Sequence, residues 1–208
     1  MDFVTHFKCT VVCAWIVTAL ALSSAASAVE VAGVKVAETE KIANHELKLN
    51  GAGIRYKAIF KVYVAGLYLG EKKTTTKDVL AASGAKRMSL VLLRDISSND
   101  FAQSFMAGIQ KNSEKAERAK VITSLLKFGE IFASVPEMKK GDHVTADWIP
   151  GTGGVFQHNG KKLGDTINDQ LFYTIFLKIW LGDNPADAKL KQALLGEKEE
   201  VNTRVSNY

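Results

Sequence analysis

The sequence is poor in cysteine and proline. Its 208 residues include 2 Cys and 3 Pro. Both cysteines, Cys9 and Cys13, sit in one short apolar run near the start. From residue 14 onward there is no thiol. That excludes a disulfide framework, a cysteine nucleophile, a thiol redox pair and a thiolate metal site from the rest of the chain. No second long apolar run occurs, and spanning a bilayer takes roughly 20 apolar residues. No heptad is sustained, and no Pro- or Ser-rich linker divides residues 29–195. With 47% hydrophobic and 24% charged residues, the composition is that of an ordinary globular domain. The chain is long enough to bury one sizeable core without covalent staples.

The apolar run itself, residues 9–22, is short for a membrane span. Lys8 precedes it and small residues follow it, ending in Ala26-Ser27-Ala28. That pattern predicts a secretory signal peptide over residues 1–28, cut after Ala28; the alternative is an uncleaved anchor. Cleavage would remove both cysteines and leave no stable transmembrane segment. It would keep the formal charge of +5, because Asp2 and Lys8 leave together. The expected location is the periplasm or the medium, with one domain over 29–195 and a polar, solvated tail over 196–208 that includes Glu197, Glu199 and Glu200.

Within residues 29–195 the hydrophobic period changes several times. Residues 29–36 alternate around Gly33 and predict a short hairpin. A further short strand is expected at 46–49, and Gly51-Ala52-Gly53 reads as a turn. Residues 54–69 then alternate, which predicts two strands or one bent strand. One face carries Ile54, Tyr56, Phe60, Val62 and Val64; the other carries Arg55, Lys57, Lys61 and Tyr63. Another strand is expected at 88–93. A helix capped by Ser98 follows, then a second from Ser113 to the stop at Pro136. Residues 141–149 return to strand. Asn159-Gly160 marks a two-residue hairpin turn. Thr166 and Asp169 resemble a capping box ahead of a helix that is apolar nearly all round, and Pro185 opens a last helix. The alternation of strands and helices argues for an α+β fold, with an antiparallel sheet covered by helices.

Several chemistries have no support. His45, His143 and His158 lie outside any metal-ligand spacing, so no metal and no cofactor is expected. There is no nucleophile elbow, P-loop or dinucleotide fingerprint. Gly151, Gly153 and Gly154 have no helix after them and read as a turn. The basic pairs are scattered, which speaks against nucleic acid. The constellation left is Arg55, Lys57, Lys61 and Tyr63 on one strand face. It reads either as a solvent-exposed basic face or as an arginine inside a helix-covered cleft. In the cleft, the planar guanidinium would suit a carboxylate or enolate oxygen. A buried, permanently charged group would also demand an anionic partner.

The run Leu49-Asn-Gly-Ala-Gly-Ile-Arg55, followed by Phe60-Lys-Val-Tyr-Val-Ala-Gly-Leu-Tyr-Leu69, resembles the signature of the chalcone isomerase superfamily. The order of the later elements resembles it too, over roughly residues 29–195. The leader and compact form look most like the bacterial, exported chalcone isomerase-like proteins. The resemblance implies an open-faced β-sandwich, with a large antiparallel sheet covered by helices. It also implies that Arg55 stands where the family's enzymes place the arginine that stabilises an enolate. The accompanying threonine falls on Tyr63, the helix tyrosine near Phe101, an asparagine near Gly108 and a second threonine near Ile179. Non-catalytic members of the superfamily bind fatty acids through the arginine and a tyrosine. The resemblance therefore implies a ligand site at Arg55, Tyr63, Phe101 and Ile179 for a small apolar anion such as a fatty acid. Phe105 and Phe172 are further candidate walls. Two other readings stay open: an intramolecular lyase or isomerase on an unknown enone, with Arg55 as electrophile and Tyr63 as acid, and a structural factor of the envelope.

Overall fold

The computed structural model describes residues 27–135 and 137–197. The expected leader up to residue 26, the expected stop at Pro136 and the expected tail from residue 198 lie outside the described residues. The chain opens with a hairpin, β1 (Ala28–Val31) and β2 (Val34–Ala37), turning at Ala32-Gly33 with both φ positive. Strands β3 (Thr39–Ile42), β4 (His45–Lys57) and β5 (Phe60–Leu69) follow, then helix α1 (Thr76–Ala81) and strand β6 (Lys86–Leu92). A short strand β7 (Ile96–Ser97) leads into helices α2 (Ser98–Lys111), α3 (Lys115–Lys120) and α4 (Ile122–Ala133). Then come β8 (Glu137–Met138), β9 (His143–Ile149), β10 (Gly153–His158), β11 (Lys161–Ile167), α5 (Gln170–Leu181) and α6 (Ala188–Leu194). No helix among the described residues is long and apolar enough to cross a membrane.

Seven strands form one antiparallel sheet in the order β11-β10-β9-β6-β5-β4-β3. Its two faces are covered unequally. One carries the main core, where Phe101, Phe105, Phe128, Phe132, Phe172, Phe176 and Trp180 from α2, α4 and α5 pack on Ala65, Leu67, Met88 and Leu90. The other face carries a small cluster, in which Val36 of the β1–β2 hairpin meets Leu47, Leu49, Val64 and Tyr68. This is the open-faced arrangement expected from the sequence. Helix α5 is buried on nearly every side, as its apolar composition requires.

The glycine pair before Arg55 departs from expectation. Gly51-Ala52-Gly53 is not a turn but the middle of β4, and the chain turns instead at Ala58-Ile59. The glycines serve packing. A Cβ on Gly51 would collide with the Ala193 carbonyl oxygen, and one on Gly53 would sit 2.8 Å from Ala193 Cβ. Helix α6 therefore rests directly on the strand backbone. A register shift between Leu49 and Gly51 sets this up. It leaves Asn50 as the extra residue and moves Gly51, Gly53 and Arg55 onto the helix-covered side. The buried Asn50 side chain donates to Leu194 O (2.7 Å) and Lys73 O (2.9 Å) and accepts from Lys73 N (2.7 Å). It fastens the end of α6 to the strand.

Four helix boundaries also differ. The last helix does not open at Pro185; it is capped by Asp187 and begins at Ala188. Ser97, not Ser98, caps α2; Ser98 Oγ instead donates to Val135 O. The helix expected from Ser113 is two helices, broken at the buried Val121, and its start is a capping box between Glu114 and Glu117. Asp169, not Thr166, caps α5, because its carboxylate also accepts from Ser124 Oγ of α4 (2.6 Å) and so joins two helices.

Gly51→Ala should lower the unfolding free energy by about 1–3 kcal/mol, the usual range for overpacking. Gly84→Ala, where a Cβ meets open space, should change it by less than about 0.5 kcal/mol. Urea denaturation of the two variants measures both.

Candidate functional site

Arg55 and Tyr63 are directly opposed residues on β4 and β5. Opposed residues share a face, and here it is the face that the helices cover. The arginine thus stands at the edge of the helix layer, half-buried, with Cζ 5.4 Å from the centre of the Tyr63 ring. Lys57 and Lys61, expected beside it, are exposed near the turn. The strand face is thus mixed, with Arg55 half-buried beside the buried Tyr63 and the two lysines in solvent.

Two donors in this pair have nothing to bond to. Arg55 Nε is buried and has no hydrogen-bond partner, and Arg55 makes no ion pair among the described residues. The buried Tyr63 hydroxyl accepts from Trp180 Nε1 (2.9 Å). Its own proton meets no acceptor among the described residues. Burial pushes the Tyr63 phenol above its ordinary value; the Arg55 charge and hydrogen bonding by Trp180 and by Arg55 oppose it, and nearby Asp187 adds to it. Tyr63 is therefore a neutral donor at physiological pH. Asp187 is the acid nearest in influence, but its carboxylate already accepts from Tyr56 N (2.9 Å), Lys189 N (2.9 Å) and Leu190 N (3.1 Å). It caps α6 and holds the strand edge.

A second arginine gives the contrast. Arg87 lies on the opposite face of the sheet and makes a two-pronged pair with the fully buried Asp147, at 2.7 Å for each contact. Its third arm reaches Glu40 Oε2 at 3.1 Å. Every direction of that guanidinium is accounted for by structure. On the same face Ser89 Oγ and His143 Nε2 are 2.7 Å apart. Burial and the Arg87 charge depress the His143 pKa, which keeps the ring neutral. Among the described residues no group of three or more His, Cys, Asp or Glu converges as metal ligands would.

Behind Tyr63 the site continues into the core. Trp180 borders an enclosed void of about 10 Å³, together with Phe105, Phe132, Phe156 and Phe176 from the helices and β10 and apolar residues of the sheet. That volume holds about one water molecule, so the interior is closed. Arg55 contacts Tyr63, Tyr63 is bonded by Trp180, and Trp180 borders the void, a chain of contacts that leads into the core. The other expected site residues lie outside this chain of contacts. Phe101 stacks on Phe105 (centroids 4.5 Å apart) and Phe132 (5.3 Å). Ile179 fills the space left by Gly108, where a Cβ would lie 2.9 Å from Ile179 Cγ2. Of the candidate walls, Phe105 borders the void, whereas Phe101, Phe172 and Ile179 do not. Trp180 was not foreseen. Its place in an all-apolar helix marked it as core, and nothing in the local pattern reveals that its ring nitrogen reaches β5.

The family model described as chalcone isomerase-like matches residues 28–196. No curated protein matches the sequence. Among solved structures, a fatty-acid binding protein of Arabidopsis thaliana is similar, with a TM-score of 0.62 and 16% sequence identity. The similarity covers 78% of this chain and 92% of that one. At that identity it is a likeness of fold.

Burial also raises the phenols of Tyr173 and of Tyr68, the latter to about 12. Folding favours these neutral phenols and that of Tyr63. Their contribution to stability is whole below the ordinary value near 10 and is lost as pH climbs through the raised values. In an alkaline absorbance titration of the native protein, Tyr63, Tyr68 and Tyr173 should ionise above the ordinary phenol value. Tyr63→Phe should remove one late-ionising group. It should also lower stability by about 1–3 kcal/mol by stranding the Trp180 donor.

Proposed function

The chain belongs to the chalcone isomerase-like family, and from that premise we propose that it is an exported, non-catalytic protein that binds a fatty acid or similar apolar carboxylate at Arg55. The observation that carries this reading is the pair of unclaimed donors. Arg55 keeps a buried Nε without an acceptor, and the Tyr63 proton has none either. A buried donor left without an acceptor costs about 1–3 kcal/mol. A carboxylate at this position would accept from both groups and relieve that cost. The fatty-acid binding relative of the same fold supports the choice of ligand.

Catalysis of the enone type is less well supplied. The positions that the resemblance assigns to the remaining polar groups are Phe101, Gly108 and Ile179. None of these side chains can hold a water or donate to an enolate, and losing one such donor costs about 3–4 kcal/mol in a transition state. Tyr63 and Arg55 together suffice to hold a carboxylate.

The tail of the ligand would run inward past Trp180. The void there is too small for an alkyl chain, so binding must part the Phe-rich core from the sheet. Each methylene buried is worth about 0.8 kcal/mol, which predicts affinity that rises with chain length.

The test is native mass spectrometry of the purified protein, with calorimetric titration by fatty acids. Arg55→Ala should weaken binding about 10- to 100-fold, the loss of a charge-assisted hydrogen bond, while leaving stability unchanged or higher. Arg87→Ala should instead cost about 3–5 kcal/mol of stability, because it strands Asp147. A protein that arrives empty, and whose fatty-acid affinity ignores Arg55→Ala, overturns the proposal.

A further inference from the structure

The turn between β4 and β5 carries an unusual set of exposed side chains. Ile59 is 84% exposed, Phe60 56% and Tyr56 41%. Ile59 sits in the two-residue turn Ala58-Ile59 and Phe60 directly follows it. Tyr56 pairs with Lys61 and Lys57 with Phe60, so Tyr56 and Phe60 flank the tip on opposite faces, within two strand pairs beyond Arg55–Tyr63. The other tight two-residue turns among the described strands have Gly33, Asn44 and Gly160 at the second position, small or polar as solvent-facing turns usually are. Here the position is taken by a bare β-branched hydrophobe. Neither the sheet nor the core gains from it.

The setting of these side chains is basic. Lys57 and Lys61 flank the turn and are exposed. Arg94, from the end of β6, lies with Cζ 5.2 Å from the centre of the Phe60 ring and holds it outward. No Asp or Glu occurs between Glu46 and Glu71. The acids that do approach are occupied: Asp187 by Tyr56 N and the α6 cap, and Asp95 by Lys139 Nζ and Lys140 N. Apolar side chains ringed by lysine and arginine match the boundary of an anionic bilayer, where rings and aliphatic groups enter the acyl region and cations meet phosphates. A protein partner is a poorer fit. Three side chains fall far short of the about 800 Å² that each partner of a stable complex buries.

We infer that the β4–β5 tip docks the protein on an anionic lipid surface, with the Arg55 site facing that surface. This deepens the fatty-acid reading and rests on it for the cargo. A carboxylate lying at headgroup depth would be level with Arg55 when the tip is inserted, so ligand could pass between bilayer and site without crossing bulk water. The docking itself depends on the tip residues and stands or falls separately.

Cosedimentation of the purified protein with phosphatidylcholine vesicles, with and without phosphatidylglycerol, tests this. Binding should need phosphatidylglycerol and should weaken at high salt, where charges are screened. Ile59→Asp/Phe60→Asp should reduce the bound fraction about tenfold. The single Ile59→Asp change, at a side chain outside the core, should give most of that loss. Ile122→Asp/Leu126→Asp removes comparably exposed apolar groups from α4 and should leave vesicle binding intact. Tip variants that bind like the unaltered protein, or a protein that ignores the vesicles altogether, overturn the inference. Calorimetry with fatty acid in vesicle-free buffer separates the two readings. Ligand affinity without vesicle binding removes the docking inference alone, and vesicle binding without ligand affinity removes the cargo on which it rests.

Discussion

The contact of α6 with β4 is the constraint on which the rest of the site depends. Gly51 and Gly53 bring the helix onto the strand backbone with no side chain between them. Asn50 then binds the helix at its C-terminal end, through Leu194 O. Asp187 binds it at its N-terminal end, through Tyr56 N. With both ends fixed, α6 covers β4 as far as Gly53, and the first side chain able to project beside it is Arg55. The glycines thus determine how much of the arginine is covered. They do so by excluding volume, which tolerates no gradual adjustment: one methyl group on Gly51 already meets a carbonyl.

The two arginines of the sheet differ in how their charge is matched. Arg87 is enclosed by Asp147 and Glu40. It pins β6, β9 and β3 together on the open face, and its removal leaves a buried carboxylate alone. Arg55 has no such counter-ion among the described residues. An arginine cannot shed its proton to escape burial; among the described residues its contact with the Tyr63 ring is the compensation found, and its Nε stays without an acceptor. Sites that spend stability in this manner are where ligands are expected, since evolution removes such costs elsewhere. Asp187 sharpens the point. A carboxylate does stand close enough to influence Tyr63, yet it is turned to backbone donors.

Much of the fold was legible because its local rules are kept. Gly33 and Asn159-Gly160 mark hairpins where φ must be positive, and both hairpins form there. Period-two alternation placed Arg55 and Tyr63 on one face, and they are opposed. What the pattern could not tell was which face the helices cover, since the bulge at Asn50 inverts the alternation partway along β4. A glycine pair in a strand looks like a turn until the helix that needs the room is known. The helix starts near Ser98 and Ser113 differ by one residue from local caps at Ser97 and Glu114. The start near Thr166 is displaced because Asp169 answers to Ser124, a partner distant in sequence that leaves no local mark. Asn50 and Trp180 were missed for the same reason.

The closed interior bears on what kind of binding the fold allows. Around the void the rings of Phe105, Phe128, Phe132, Phe156, Phe176 and Trp180 touch in tilted and edge-on pairs, with centroids 4.8 to 5.9 Å apart in neighbouring contacts. An alkyl chain entering here would not fill empty space. It would replace ring–ring contacts with ring–methylene contacts of similar dispersion energy. The gain must come from apolar ligand surface leaving water, less the work of moving the rings. Short chains have too little surface to meet that work, whereas long chains do, and a carboxylate held by Arg55 and Tyr63 would fix which end enters last. On the fatty-acid proposal, selectivity for long amphiphiles would follow from a core that is full, rather than from a cavity cut to measure.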